Sequence, residues 1–396
     1  MKISCVICEY NPFHNGHEYM LKQLRENGAT HIAVIMSGNF TQRGEAAIFD
    51  KFTRTRAALS GGADLVIELP VSFACANAQR FAYGGVFLAD SLGCADELAF
   101  GSESGDSRLL IEAASAIDDE RVQRLLGEKL GSGITFAEAR EKAVEEIYGA
   151  HISQLLHSPN DILGIEYIRA LKITDSRIRP FAVKRTGAGH DSVETENNIT
   201  SAANIREMLY SGNEDAYRCI PEAAAGIFRS AENKPPEGGR MRRLEAAMIY
   251  RLRTMTKDQL AALPDISEGL ENRLYAAIRN SKCIEEIIEA AKSKRYTMAR
   301  IRRLMTNALL GLERKSLEEM PGYIRILGMN SRGMEILRAA KQTAKLPVIT
   351  KYSDLKPGTP EHRMFMQESL CDDIYALSEK STDICGRNLT GKMIIL

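Results

Sequence analysis

Tryptophan is absent from this 396-residue chain, aromatic residues make up only 6%, and neither sign of charge prevails, 52 Lys+Arg facing 52 Asp+Glu. The balance excludes a protein that coats nucleic acid through its average field, while leaving room for a local basic face. No stretch approaches the roughly 18 consecutive apolar residues of a membrane helix, so no membrane partner is expected. Internal repeats and low-complexity tracts are missing too. With 44% hydrophobic residues, 26% charged, 30 Gly and 12 Pro, the composition excludes disorder, collagen and a disulfide miniprotein. Met1-Lys2-Ile3-Ser4-Cys5-Val6-Ile7-Cys8 is apolar but short, and Glu9-Tyr10-Asn11-Pro12 is no small-residue cleavage site. The expectation is therefore a cytoplasmic protein, whose eight scattered cysteines serve as small buried hydrophobes.

What is present is an alternation. Ile3–Cys8 is a continuous β-prone run, broken by Asn11-Pro12 and Asn15-Gly16, and helical spacing follows through His17, Met20, Leu21 and Leu24 to Gly28. Further strands are predicted at 31–36, Leu65–Leu69, 97–100 (stopped by Gly101) and 181–185, and helices over 49–60, 79–92, 161–172 and 201–210. Strands alternating with helices of this length mean βαβ units, an α/β fold with a parallel, Rossmann-like sheet. Residues 105–150 read as mostly helical, and Thr186-Gly187-Ala188-Gly189-His190 as a loop. After about residue 210 the strand signals fade. Asn233-Lys234-Pro235-Pro236-Glu237-Gly238-Gly239 is linker-like, 240–345 reads as almost entirely helical, and 346–396 is a short mixed tail. The expected division is an α/β domain over 1–210 and a mainly α-helical domain over 211–396.

The most informative segment is Tyr10-Asn11-Pro12-Phe13-His14-Asn15-Gly16-His17, where the first strand hands over to the first helix. In a parallel sheet ligands bind at that point, with helix N-terminal amides facing an anion. His14 and His17 put two imidazoles beside those amides, and Gly16 removes a Cβ so that a phosphate or purine can approach the backbone. This suits attack on the α-phosphate of a nucleotide, a reaction of positioning and charge stabilisation that protonated or hydrogen-bonding imidazoles can supply. The bland alternative is an incidental His-x-x-His. Zinc is a rival, because Cys5-x-x-Cys8 lies just upstream. However, strand residues three apart point to opposite faces, whereas a tetrahedral site needs ligands that converge. A redox Cys-x-x-Cys opens a helix rather than filling a strand. No metal site is expected.

Asn11-Pro12-Phe13-His14-Asn15-Gly16-His17 resembles the His-x-Gly-His signature of the nucleotidyltransferase superfamily. Together with Met36-Ser37-Gly38-Asn39-Phe40-Thr41-Gln42-Arg43-Gly44 and Lys294-Arg295-Tyr296-Thr297-Met298-Ala299-Arg300-Ile301-Arg302-Arg303, it resembles the bacterial tRNA(Met) cytidine acetate ligase family over essentially the whole chain. The resemblance implies a nucleotidyltransferase-like ATP domain, activation of acetate to acetyl-adenylate with release of pyrophosphate, and acetyl transfer to N4 of the wobble cytidine of elongator tRNA(Met). It implies that Ile7, Glu9, Tyr10, Asn11, Pro12, Phe13, His14, Asn15, Gly16, His17 and Met20 hold ATP, with His14 and His17 catalytic on its phosphates. Gly101, Asn160, Arg185, Ser201 and Arg206 would complete the ATP site, with Mg²⁺ as the usual counter-ion. One departure stands out. The superfamily's second signature, Ser-x-Thr-x-x-Arg, here reads Ser201-Ala202-Ala203-Asn204-Ile205-Arg206, so one hydroxyl contact to phosphate is missing.

Lys294, Arg295, Arg300, Arg302 and Arg303 form a basic run without an acidic residue. If helical, Arg295 and Arg302 share a face, and Arg300 and Arg303 form a neighbouring pair. With Arg240, Arg242, Arg243, Arg251 and Arg253 the run matches a backbone footprint for tRNA, set against the ordinary reading of a solvated helix face. Two other functions stay open from the sequence: an adenylyltransferase acting on a small phosphorylated metabolite, and a nucleotide-dependent RNA-binding protein.

Overall fold

The structure, a computed structural model, describes residues 1–131, 134–185, 198–267, 269–382 and 384–396. The predicted loop Thr186-Gly187-Ala188-Gly189-His190 lies outside the described residues. The strands are β1 (Ile3–Cys8), β2 (His31–Ser37), β3 (Leu65–Leu69), β4 (Glu97–Ser102), β5 (Arg179–Lys184), β6 (Ile324–Met329), β7 (Val348–Ile349) and β8 (Ile394–Ile395). They form one sheet in the order β5-β4-β1-β2-β3-β6-β7, with β8 beside β6. The first five run parallel, as the alternation predicts. Ile3, Cys5 and Ile7 of β1 enter one core and Val6 and Cys8 enter the other. The sheet is thus covered on both faces, which is why its strands read as unbroken apolar runs. Cys5 and Cys8 point apart, as strand geometry requires. All eight cysteines are free, and Cys385 alone is exposed.

Side-chain caps set where several of the crossover helices begin. The predicted 49–60 segment starts at Lys51 because Asp50 Oδ1 accepts from the Phe52 and Thr53 amides at 2.9 and 3.1 Å. Two expectations need correction. β4 does not stop at Gly101 but runs through it, pairing Gly101 with Val183 and Ser102 with Lys184. The stretch 240–345 is not almost entirely helical, because β6 pairs antiparallel with β3. Ile324-Arg325-Ile326-Leu327 is buried throughout, and a buried run of that length carries no period that separates strand from helix. Arg325 disguises it further. Its guanidinium is inside the protein, 3.0 Å from Glu68 and 2.6 Å from Asn388. Residues 211–396 are mostly helical but return to the sheet through β6, β7 and β8. No helix among the described residues is long and apolar enough to cross a membrane.

The helices Arg240–Thr254, Leu270–Asn280, Ile284–Ala291 and Met298–Leu309 share their own core, which includes Met248, Leu252, Leu274, Ile288, Leu304 and Met305. The loop after β2 fixes this layer against the sheet. Gly44 (φ +73°) lies so close to the helix Met298–Leu309 that a Cβ would sit 2.6 Å from the Arg303 amide nitrogen. Thr306 Oγ1 donates to the Gly44 carbonyl at 2.8 Å. Only glycine meets both the left-handed backbone and the close approach.

One buried carboxyl makes stability depend on pH. Glu368, on the helix Pro360–Ala376, accepts from the Val71 amide at 2.8 Å. Burial, and then the charge of Glu68, push its pKa up from 4.5 to about 8. The unfolded chain therefore releases this proton first, and the group's contribution is lost as pH rises from about 4.5 to about 8. Glu368→Gln keeps an acceptor for Val71 and removes the titration. We expect its denaturant midpoint to match the parent at about pH 5 and to exceed it at about pH 9. Parallel pH dependence of the two proteins would contradict this.

Candidate active site

β1 passes to β2 on one side while β4 lies on its other side, so the strand order reverses between β1 and β4. Ligands of open parallel sheets bind outside the strand C-termini at such a point. A cavity of about 530 Å³ opens there. Its walls are the ends of β1 and β4, the first turn of the helix Asn15–Glu26, loop residues 41–45, and the starts of the helices Pro159–Ile173 and Ala202–Tyr210.

His14 and His17 are built into the first helix's start. His14 Nδ1 accepts from the Gly16 amide at 3.1 Å, and His17 Nδ1 accepts from the His14 amide at 3.3 Å. This reciprocal cap satisfies two amides that a helix start otherwise leaves open. It also sets the tautomer: with Nδ1 accepting on both rings, the proton of each neutral imidazole sits on Nε2, leaving two N–H donors. The rings stack with centroids 3.7 Å apart, and Tyr10 and Phe13 lie against His17 at 4.8 and 5.8 Å. Burial, then Arg185 and Arg206, push His14 down from 6.5 to about 3. Burial, then His14 and Arg185, hold His17 well below its ordinary value. Both imidazoles are therefore neutral in the free protein, which narrows the expectation of protonated or hydrogen-bonding rings to the second. Gly16 is corrected too. A Cβ there would sit 3.0 Å from His14 Cε1, so the glycine makes room for the imidazole that caps it, not first of all for a ligand.

Cations and polar groups face these rings. Arg206 Nη1 donates to the Asn11 carbonyl at 2.9 Å, and its Nη2 lies 3.6 Å from Glu45 Oε2. Arg185 follows β5, its amide held by the Ser102 carbonyl at 2.9 Å. Ser201 caps its helix by accepting from the Asn204 amide at 3.1 Å. Asn160 is oriented by Glu103, to which its Nδ2 donates at 2.6 Å, while Glu103 also accepts from the Asp161 amide at 3.0 Å. Glu9 accepts from the Gln42 amide at 2.7 Å, and burial raises its pKa.

Ile7, Glu9, Tyr10, Asn11, His14, Gly16, His17, Met20, Gly101, Asn160, Arg185, Ser201 and Arg206 all line the cavity. Pro12, Phe13 and Asn15 do not. Phe13 is fully buried beneath the helix, its ring over Gly61, and Asn15 Nδ2 donates to the Asn198 and Arg218 carbonyls. Sequence reasoning missed Tyr19, Thr41, Gln42, Arg43, Glu45, Lys184 and Thr200. Four of these lie in or directly after the Met36-to-Gly44 motif, which carried a resemblance but no assigned role. Ala203, in place of the signature threonine, also lines the cavity.

The basic run is not one face. The helix begins at Met298 behind the Thr297 cap, so Arg295 precedes it and shares no helical face with Arg302. Arg303 is 8% exposed and 3.6 Å from Asp265. Arg300 donates to the Asp265 carbonyl from Nε and Nη2 at 3.0 and 2.6 Å. Arg302 is half-buried, with Nη1 3.3 Å from Glu45 Oε1. Lys294 and Arg295 are exposed. Arg240, from the wider set, is completely buried, donating to the Ile48 carbonyl at 2.8 Å and lying over Tyr375.

The HIGH nucleotidyl transferase family model matches residues 1–388. A tRNA(Met) cytidine acetate ligase of Thermoanaerobacter sp. (strain X514) is 40% identical over 403 aligned residues, covering all of both chains. One of Acetivibrio thermocellus is 36% identical over 419, again end to end. The crystal structure of Thermotoga maritima TmcAL without ligand superposes with a TM-score of 0.93 at 32% identity, covering both chains completely. That protein bound with alpha-thio ATP gives 0.90 at 31%. A switch-point cavity capped by His14-Asn15-Gly16-His17, and full-length similarity on this scale, place the chain in the tRNA(Met) cytidine acetate ligase family of HIGH nucleotidyltransferases.

Proposed function

We propose that this chain activates acetate with ATP and transfers the acetyl group to N4 of the wobble cytidine of elongator tRNA(Met). One observation carries the reading: His14 and His17, each with its Nδ1 taken by a helix-start amide, line one open cavity together with Arg185 and Arg206. Donors and fixed cations so placed stabilise charge building on the phosphate oxygens as an acetate oxygen attacks the α-phosphorus and the bond to pyrophosphate breaks. The cytidine amine then attacks the acetyl carbon, AMP departs, and the amine loses a proton. Mg²⁺ enters this reading as the counter-ion of the triphosphate. Glu9 and Glu45 are the only carboxylates among the described residues lining the cavity, and Glu45 already faces two arginines. His14, His17, Arg185, Arg206, Ser201 and Asn160 are read as the ATP contacts.

For tRNA, the reading moves away from 300–303. The helix Arg240–Thr254 exposes Arg242, Arg243 and Arg253 beside Tyr250, which is 72% exposed, and Lys294 and Arg295 add to the exposed cations. Cations for phosphates and a bare aromatic ring for an unstacked base suit a single-stranded RNA loop. Residues 1–210 would serve ATP and 211–396 mainly tRNA, in the cytoplasm.

The test uses labelled acetate, ATP, Mg²⁺ and elongator tRNA(Met) without acetyl-CoA. Label should appear on one cytidine, with AMP and pyrophosphate released. Changing that cytidine to uridine removes the amine and should abolish labelling while acetate-dependent pyrophosphate exchange continues. An unmodified cytidine in a reaction that makes AMP would refute the reading.

A further inference from the structure

A second, smaller cavity of about 140 Å³ lies between the loop after β2 and the helical layer. Its walls are apolar and flexible: Met241 and Met248 of the helix Arg240–Thr254, Ile288 of the helix Ile284–Ala291, and Met305 of the helix Met298–Leu309. Its polar groups are Glu45, Arg302, Thr306 and, on the exposed side, Glu285. Thr306 is already committed to the Gly44 carbonyl. Glu45 lines both cavities, with Oε2 toward Arg206 of the nucleotide site and Oε1 toward Arg302.

We propose that this small cavity seats the acceptor cytosine, with Glu45 receiving its N4 amine and Arg302 donating to the adjacent ring nitrogen and carbonyl. The inference rests on the function proposed above. Size comes first: a cavity of about 150 Å³ takes one six-membered ring, not a nucleotide. The thioethers of Met241, Met248 and Met305 are polarisable and adapt to a flat ring. The polar edge decides which ring. A carboxylate beside a guanidinium offers an acceptor next to a donor, the complement of the cytosine amine and its neighbouring N3. Uracil would turn a carbonyl oxygen toward the Glu45 carboxylate and leave both unpaired. Position agrees as well. With its amine at Glu45, the base stands at the one carboxylate the two cavities share, beside the place where the mixed anhydride is made. When N4 bonds to the acetyl carbon, the carbon–oxygen bond to AMP breaks, AMP carries away the electron pair, and the N4 proton passes to the Glu45 carboxylate. Arg302 thus reads a base edge, and is not a phosphate clamp.

The experiment compares the parent with Glu45→Gln and Arg302→Gln, using anticodon stem-loop RNAs that carry cytidine or uridine at the wobble position. The parent should bind the cytidine loop about tenfold or more tightly than the uridine loop, the discrimination expected of a matched base edge. Both variants should bring that ratio toward one. They should lower single-turnover acetyl transfer about 10²-fold more than they lower acetate-dependent pyrophosphate exchange, since Glu45 meets the transferring amine and Arg302 holds the ring edge beside it. Equal binding of the two loops by the parent, an unchanged ratio in the variants, or loss of transfer and exchange in equal measure would each overturn the assignment. A parent protein without acetate-dependent exchange would instead refute the function on which it rests.

Discussion

Acetate-dependent pyrophosphate exchange should fall by about 10²-fold or more in His17→Ala, the scale of losing one preorganised donor to developing charge. The ring also caps its helix, so some of the loss could be structural, and the two effects must be separated. Removing an N-terminal cap costs about 1 kcal/mol, which a denaturant midpoint reports independently of turnover. A variant that loses that much stability but keeps full exchange would show His17 to be a cap and nothing more. The pH profile adds a second readout. Because burial holds His14 at about 3 and His17 well below 6.5, the free enzyme already has neutral rings at about pH 6 and above. kcat/KM for exchange should then show no decline as pH rises through about 6.5, because no imidazolium is lost there. A decline present in the parent and absent in His17→Ala would mean that the charged ring is the working form.

The first half of the fold was legible because β1 to β4 are largely apolar runs punctuated by glycine and proline, and because both faces of the sheet are covered. β6 was not, since Arg325 sits in the middle of its run and nothing nearby in the chain reveals that Glu68 and Asn388 receive it inside the protein. The same blindness hid what meets the arginines of 300–303. Arg303 and Arg300 find Asp265, and Arg302 finds Glu45, partners far away in sequence. A run of arginines announces charge but not what meets it. The histidines were legible for the opposite reason, because their cap is local and their spacing brings both rings to one helix start. Glu45 and Thr41 escaped notice because a loop has no period, and their place beside the cavity depends on the contact between Gly44 and a helix about 260 residues later.

Lys51→Met should cost about 3–5 kcal/mol of unfolding free energy at neutral pH, the range for stripping one partner from a buried ion cluster. Lys51 Nζ is completely buried and lies 2.6 Å from Glu68, 2.7 Å from Asp372 and 2.8 Å from Asn388 Oδ1. Those partners come from β3, the helix Pro360–Ala376 and the short helix Arg387–Thr390, so one ammonium joins the C-terminal residues to the sheet. Methionine fills a similar volume, which isolates the loss of charge from the loss of packing. Arg325 still faces Glu68, and Asp372 is left most exposed to the change. Burial already raises the Asp372 pKa, and Lys51 opposes that rise. Without Lys51 the carboxyl takes up a proton at higher pH, and a group whose folded pKa is raised favours the fold on the acid side. The deficit of Lys51→Met should therefore shrink at about pH 5 and grow at about pH 8, and adding Asp372→Asn should recover part of it. The effect should also reach the active site. One turn along the same helix, Arg54 is buried and donates to the carbonyls of Glu9, Ser37, Gly38 and Phe49, so it holds the ends of β1 and β2 beneath the histidines. A helix loosened at Lys51 releases that grip, and KM for ATP in the exchange reaction should rise together with the loss of stability. A variant as stable as the parent across that pH range would show that the cluster does not depend on its central cation.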